Sequence, residues 1–374
     1  MKLFIQPGSG VIPLVKGIER AKQSIEIVIF RYDRSEIEWA LTNAVRRGVF
    51  VHALIAYTNR GGEKNLRKLE MRLLAAGVTV ARTSDDLVRY HDKLIVIDRR
   101  ELYLLAFNLT YLDIERSRSF GILTQNRKLV QEAVKLFESD TKRQPFTPSN
   151  CGFVVSPVNA RKELAAFLRK AKKELLIYDT KISDLAMIRI LEERARAGVA
   201  IRIIGRITKS SDKVPNRQLT EMRLHTRAIV RDRLHAFIGS QSLRKVELDS
   251  RREVGIIIRD SKTINGLVKT FEEDWAASEP KDQLGAQPSE SAVKVATRVA
   301  KLVAEDLPLV APVLQQAVME VVGDHSDAAL NPKDVQEAVK DAVKKAVKKS
   351  IEGVVEEVVD GKESIKPGMK VPTG

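Results

Sequence analysis

Two short stretches of this chain place the same side-chain chemistries at the same spacing. His91, Lys93 and Asp98 stand in His91-Asp92-Lys93-Leu94-Ile95-Val96-Ile97-Asp98, and His225, Arg227 and Asp232 in His225-Thr226-Arg227-Ala228-Ile229-Val230-Arg231-Asp232. An imidazole can attack phosphorus or carry a proton, and a cation beside it neutralises phosphate oxygens. In an extended strand residues i and i+2 face the same way, so each histidine shares a side with its cation while the residue between them turns away. Two such sets facing each other would supply a nucleophile, a general acid and cations around one phosphate. That chemistry calls for no cofactor and no metal, and neither stretch brings two histidines to a ligand spacing. From the residue frequencies about 0.05 matches to the pattern are expected per chain, so two matches point to an internal duplication.

The flanks repeat as well. Ala21-Lys22 and Arg47-Gly48-Val49 correspond, at an offset of 150, to Ala171-Lys172 and Ala197-Gly198-Val199. Past the motifs the offset is 134, where Arg118-Ser119-Phe120-Gly121 meets Arg252-Glu253-Val254-Gly255, so the second half has the shorter loop. Apolar runs predict strands over 24–30, 49–56, 175–178 and 199–205. Amphipathic periodicity predicts helices over 37–47 and 185–197, ended by Gly48 and Gly198. Strands alternating with helices imply an α/β fold of two duplicated halves with mixed, mainly parallel sheets. The expected boundaries are 1–146 for the first half, 150–280 for the second, and 289–374 for an amphipathic helical C-terminal region, with proline-bearing joins near 145–150 and 280–290.

Composition limits the partners. The net charge of +15 is uneven: residues 1–284 hold 52 basic and 35 acidic side chains, a net of +17, whereas residues 285–374 hold 12 and 14. That field favours anionic partners, nucleic acid or an acidic membrane surface alike. A single cysteine, Cys151, excludes an intrachain disulfide and fits a reducing cytoplasm. No signal peptide or spanning segment is expected, since Pro7-Gly8 interrupts the apolar start. In the tail, Asn331 and Pro332 open a helix with Val335, Val339, Val343, Val347, Ile351 and Val355 on one face and Lys344, Lys345, Lys348 and Lys349 on another. Such a helix packs on the core or mediates self-association, or lies on an anionic membrane.

The paired motifs resemble those of the phospholipase D superfamily, whose signature is H-x-K-x-x-x-x-D followed by a G-[SG]-x-N segment, usually twice per chain. The resemblance covers residues 1–280. It implies a pseudo-twofold site in which one histidine attacks phosphorus to form a phosphohistidine and the other protonates the leaving alcohol, after which water or a second alcohol resolves the intermediate. Carried across by position, the first copy supplies His91, Lys93 and Asp98, with Asn108 and Thr110 in the asparagine segment and Ala106 at its small residue. The second supplies His225, Arg227 and Asp232, then Gly239-Ser240-Gln241-Ser242, in which Ser242 replaces the asparagine. Lys93, Asn108, Arg227, Ser240 and Ser242 are thereby implied as phosphate-binding groups. Glu253 matches the family's downstream acid, which orients the histidine of the opposite half, here His91; the equivalent position facing His225 is Ser119. A carboxylate on one imidazole nitrogen raises the basicity of the other, making His91 the nucleophile candidate and His225 the acid.

Other positions have plainer readings. Asp98 and Asp232, although part of the motif, stand where a strand end needs a hydrogen-bond anchor. His52 and His235 read as structural, and Arg231 and Arg233 either line the cleft mouth or end a solvated strand. The family resemblance implies a phosphodiesterase hydrolysing or transferring phospholipid head groups, as in cardiolipin-synthase relatives, in the cytoplasm and peripheral to a membrane. The alternatives are a nuclease on the same site and an inactive phosphate-binding or nucleic-acid-binding scaffold.

Overall fold

The computed structural model describes residues 1–57, 63–149, 151–208 and 214–280. The helix expected across 331–355, like the whole tail, lies outside the described residues. Met1–Gln283 forms one compact unit.

Each half begins from a strand–helix–strand unit. Ser24–Ile29 and Phe50–Ile55 pair in parallel, joined by the helix Ser35–Arg46, which buries Ile37, Ala40, Leu41 and Ala44 at helical spacing. The helix stops at Gly48, whose φ of +84° is costly for a residue with a Cβ. In the second half Glu174–Ile182 and Ala200–Ile207 pair in parallel around the helix Leu185–Arg196. That helix opens where the Asp184 side chain accepts hydrogen bonds from Ala186 N and Met187 N.

The motif strands join these units antiparallel. Leu94–Ile97 lies on Ser24–Ile29, and Arg227–Arg231 on Glu174–Ile182. Short hairpins then lead to Glu101–Leu105 in one sheet and His235–Gly239 in the other, and longer connections carrying the short helices Tyr111–Glu115 and Lys245–Asp249 lead on, antiparallel, to Ser117–Thr124 and Arg251–Ile258. Lys2–Gln6 and Phe153–Ser156 pair antiparallel with the last strand of each set. Both sheets are therefore mixed, parallel within the strand–helix–strand units and antiparallel through the motif hairpins.

Strand alternation builds the layers. Val28, Leu94, Val96, Leu102 and Leu104 face a central core shared with Leu176, Tyr178, Ala228, Val230 and Ile238 of the other half. The helices Arg127–Lys142 and Ser261–Ala276 bury Phe137 and Phe271 in that core. Ile27, Ile95 and Tyr103 face an outer core under the helices of the first half, and Ile177, Ile229 and Phe237 do so in the second. Sheets covered on both faces explain why the strands read as unbroken apolar runs.

The halves also exchange strands. Arg89–Tyr90, just before His91, pairs in parallel with Arg251 and Arg252 of the second half. Reciprocally, Arg223–Leu224, just before His225, pairs with Ser117 and Arg118 of the first. Two ion pairs repeat the symmetry: Arg118 grips Asp274 through Nε (2.7 Å) and a terminal nitrogen (2.9 Å), and Arg252 meets Asp140 at 2.9 Å. Each central helix thus holds a strand of the opposite half, on which its own half's histidine rests. No described helix is long and apolar enough to cross a membrane.

Candidate active site

The exchanged strands set the backbone of both histidines. His91 N donates to Arg252 O at 2.8 Å, and His225 N to Arg118 O at 3.1 Å. Each imidazole is thereby carried to the other half, next to residues 253 and 119. His91 is buried, with Nδ1 2.9 and 3.1 Å from the two carboxylate oxygens of Glu253 and the edge of Phe30 packed on its ring at 4.6 Å. Lys93 is buried on the same side of its strand, where Nζ donates to His91 O at 2.5 Å and sits 5.4 Å from the Phe30 ring centre.

Arg227 repeats that placement with a larger group. One terminal nitrogen donates to His225 O at 2.8 Å, as Lys93 does to His91 O, while Nε donates to Ser242 Oγ at 2.9 Å. Its other terminal nitrogen is 3.7 Å from Glu247. The two departures from the family pattern, Arg227 and Ser242, are thus in direct contact.

His225 has different neighbours from His91. Arg223 donates to its Nδ1 at 2.9 Å, and Nε2 lies 3.2 Å from Asp113 Oδ2 without hydrogen-bond alignment. The Ser119 hydroxyl, expected to face this ring, turns to Ala106 O at 3.4 Å. Asp113 sits on the short helix Tyr111–Glu115, capped by Thr110, and also accepts from Asn108 N at 2.9 Å and Asn108 Nδ2 at 2.6 Å. Its counterpart Glu247, on Lys245–Asp249, accepts from Ser242 N at 2.7 Å.

Burial dominates the electrostatics. Desolvation, then the charges of Lys93 and Arg227, holds His91 well below the usual histidine range, while Glu247 opposes and Arg251 adds to this. His225 is also held well below that range by desolvation, with Arg227, Arg223 and Lys93 adding to it and Asp113 opposing. These influences cross between halves, so the two motifs form one cluster. Burial lowers Lys93 to about 7 against the pull of Glu253, and raises Glu253 to about 7 against Lys93, Ser240 and Arg227. Asp113 goes the other way: despite its desolvation, His225 and Arg223 bring it down to about 2.

The cluster gathers His91, Lys93, Asn108, His225, Arg227, Ser242 and Glu253. Ser240 lies beside Glu253, its Oγ accepting from Val254 N at 3.1 Å. Asp98 and Asp232 do not join the cluster. Asp98 accepts from Lys22 N, Gln23 N and Ser24 N at the far end of its strand, and Asp232 from Lys172 N, Lys173 N and Glu174 N. Both residues have positive φ, 52° and 53°, so these contacts fix the hairpin turns. Arg231 lies over the Phe167 ring at 4.4 Å, and Arg233 pairs with Glu272 at 3.0 Å, both at the strand end away from His225. His52 packs between Phe50 and Phe137.

Asp113, Glu247 and Arg223 were not singled out from the sequence. A signal was available: the offset of 134 that aligns Asn108 with Ser242 also aligns Asp113 with Glu247, and Arg89 with Arg223.

A duplicated α/β fold whose halves exchange the strands before two buried histidines defines a class of two-histidine scaffolds. The family model described as "Cardiolipin synthase, PLD-like domain" matches residues 14–141 and 164–275, and the chain belongs to that phospholipase D family. Among curated relatives, a phospholipase D of Rickettsia prowazekii (strain Madrid E) is 30% identical over 130 residues, covering 34% of this chain and 60% of the relative. A mitochondrial cardiolipin hydrolase of Danio rerio is 27% identical over 130 residues, covering 34% and 56%. The chain thus spans less than two thirds of either relative's length. In fold it is similar to a polyphosphate kinase from Porphyromonas gingivalis (TM-score 0.63, 18% identity, 73% of this chain and 50% of that one). It is also similar to a phosphatidylserine synthase of Haemophilus influenzae Rd KW20 (TM-score 0.61, 10% identity, 82% and 94%).

Proposed function

We propose that this chain is a phosphodiesterase that works through a phosphohistidine at His91, without a metal, on phospholipid head groups. The observation that carries the reading is the contact of His91 Nδ1 with Glu253 across the two halves, which leaves Nε2 as the basic nitrogen beside two buried cations. In the first step His91 Nε2 forms a bond to phosphorus, the bond to the leaving oxygen breaks, and His225 Nε2 gives that oxygen its proton. Lys93 and Arg227 neutralise the non-bridging oxygens as charge accumulates. In the second step His225 takes a proton from water or an alcohol, which attacks phosphorus and releases His91. The lipid substrate is supported by the names of the curated relatives, a phospholipase D and a cardiolipin hydrolase. Peripheral contact with an anionic membrane belongs to this reading, because the substrate is presented there.

The net charge of +17 on residues 1–284 favours a second reading, a nuclease using the same site. One assay tests both: phosphatidylglycerol or cardiolipin vesicles, a plasmid and a single-stranded oligonucleotide, each with EDTA. Head-group release in chelator with a trapped phosphohistidine is the expected result. Turnover restored only by a divalent ion refutes the metal-independent mechanism, and cleavage of nucleic acid alone replaces the lipid reading with the nuclease.

A further inference from the structure

We propose that Arg223 and Asp113 are positioning residues that hold His225 in the tautomer opposite to that of His91, and that Arg223 is a lock on the acid, displaced when an anionic phosphodiester enters. The inference rests on the proposed two-histidine chemistry but reads a different part of the site.

The two rings have opposite partners on Nδ1. Glu253 is an acceptor when ionised, so His91 carries its hydrogen on Nδ1 and exposes the Nε2 lone pair. A guanidinium only donates. Arg223 at 2.9 Å from His225 Nδ1 therefore requires a lone pair there, which puts the hydrogen of the neutral ring on Nε2, the atom facing Asp113 at 3.2 Å. The structure thus leaves His91 with a free Nε2 lone pair and His225 with its hydrogen on Nε2, before any substrate is present.

A neutral ring is a poor acid, because losing its Nε2 proton would leave an imidazolate. To protonate a leaving oxygen His225 must first gain a proton on Nδ1, and the Arg223 hydrogen bond occupies that site. The charged groups that act on the ring are Asp113 from the short helix, Arg223 from its own exchanged strand, and Arg227 and Lys93 from the motif strands; three of the four are cations, which agrees with a free ring held neutral. An entering phosphodiester carries negative charge. It attracts Arg223, whose side chain is 41% exposed and whose other terminal nitrogen donates to Asp113 Oδ1 at 2.5 Å and Ser117 Oγ at 3.1 Å, so that the nitrogen on His225 Nδ1 can turn away while those contacts hold, and it offsets the cations. Nδ1 then takes a proton from solvent, Asp113 stabilises the imidazolium, and Nε2 hands its proton to the leaving oxygen as the phosphorus–oxygen bond breaks. His225 is left neutral, as the second step requires.

The test is nitrogen NMR on the full chain labelled with 15N-histidine, with inorganic phosphate as the probe and resonances assigned by single His→Gln variants. In the free protein near neutral pH, His91 should be protonated on Nδ1 and His225 on Nε2. Phosphate should raise the pH at which His225 gains its second proton by about one unit or more. Arg223→Met, which removes the charge and the donor, should shift that titration upward without phosphate, and Arg223→Lys should restore much of the wild-type behaviour. Asp113→Asn should move it downward; if that buried substitution prevents folding, the exposed Arg223 pair still decides. The same tautomer on both histidines overturns the assignment, and a His225 titration unmoved by Arg223→Met overturns the lock. Because this readout needs no turnover, an absence of phosphodiesterase activity would refute the proposed function and leave this result separate.

Discussion

Replacing Arg227 with lysine and Ser242 with asparagine, singly and together, tests whether the two family departures are one compensated unit. Arg227 is 8% exposed and spends its donors on Ser242 Oγ, His225 O and the neighbourhood of Glu247. In Arg227→Lys the single ammonium can keep the His225 carbonyl, as Lys93 keeps that of His91, but Ser242 Oγ loses its charged donor. A hydrogen bond to a charged group is worth about 1.5–3 kcal/mol, and the vacated guanidinium volume adds to that cost. Ser242→Asn alone forces an amide against the guanidinium, an overpacking cost of about 1–3 kcal/mol. The double variant recreates the arrangement of Lys93 and Asn108, with Glu247 able to accept from the amide as Asp113 accepts from Asn108 Nδ2 at 2.6 Å. Its loss should be smaller than the sum of the singles by about 1–3 kcal/mol, a coupling typical of contacting buried groups. Urea midpoints would show the stability part. The ratio of kcat/KM on bis(p-nitrophenyl) phosphate in EDTA would show the catalytic part, roughly tenfold for each 1.4 kcal/mol. Single effects that add to within about 0.5 kcal/mol would refute the compensation argument.

His91→Ala should abolish the phosphohistidine, whereas His225→Ala should accumulate it from p-nitrophenyl esters, whose leaving group needs no proton, because resolution by water is slowed; equal trapping in both variants would reverse or cancel the assigned roles. On p-nitrophenyl esters, whose leaving group needs no proton from His225, the pH profile of kcat/KM should be a narrow bell near pH 7: Glu253, raised to about 7, must lose its proton as pH rises, while Lys93, lowered to about 7, must keep its own. Bound phosphate raises both values, so the kcat profile should shift to higher pH, and Lys93→Arg should remove the alkaline limb if Lys93 is the group responsible. Asp98→Ala and Asp232→Ala should each lower stability by about 1–3 kcal/mol with little change in KM, since each carboxylate accepts three backbone N–H groups away from the site; a lost kcat at unchanged urea midpoint would place them in the chemistry instead. If the substrate is nucleic acid, affinity should fall linearly in log–log form with salt, whereas vesicle turnover should rise with anionic lipid content.

The duplication, the α/β class and both histidine–cation pairs were legible in the chain because each rests on local spacing. Alternation along Leu94–Ile97 and Arg227–Arg231 decides which side chains share a face, and the offset between halves survives divergence. Glu253 could be matched to His91 only through the resemblance to the phospholipase D superfamily, because the repeat itself aligns Glu253 with Ser119. What no spacing could decide was the exchange of Arg89–Tyr90 and Arg223–Leu224 between the sheets, since strand pairing at a long separation depends on the packed interface and on the ion pairs Arg118–Asp274 and Arg252–Asp140 that hold it. That exchange puts different partners on two similar histidines. The motif makes His91 and His225 look equivalent, yet burial against Glu253 on one side, and against Arg223 and Asp113 on the other, gives them different hydrogen-bond roles. Proton placement on a buried ring follows from the donors and acceptors that tertiary packing brings to it, and those lie far from the ring in sequence or, as with Arg223, two residues away on a strand whose direction only the fold determines.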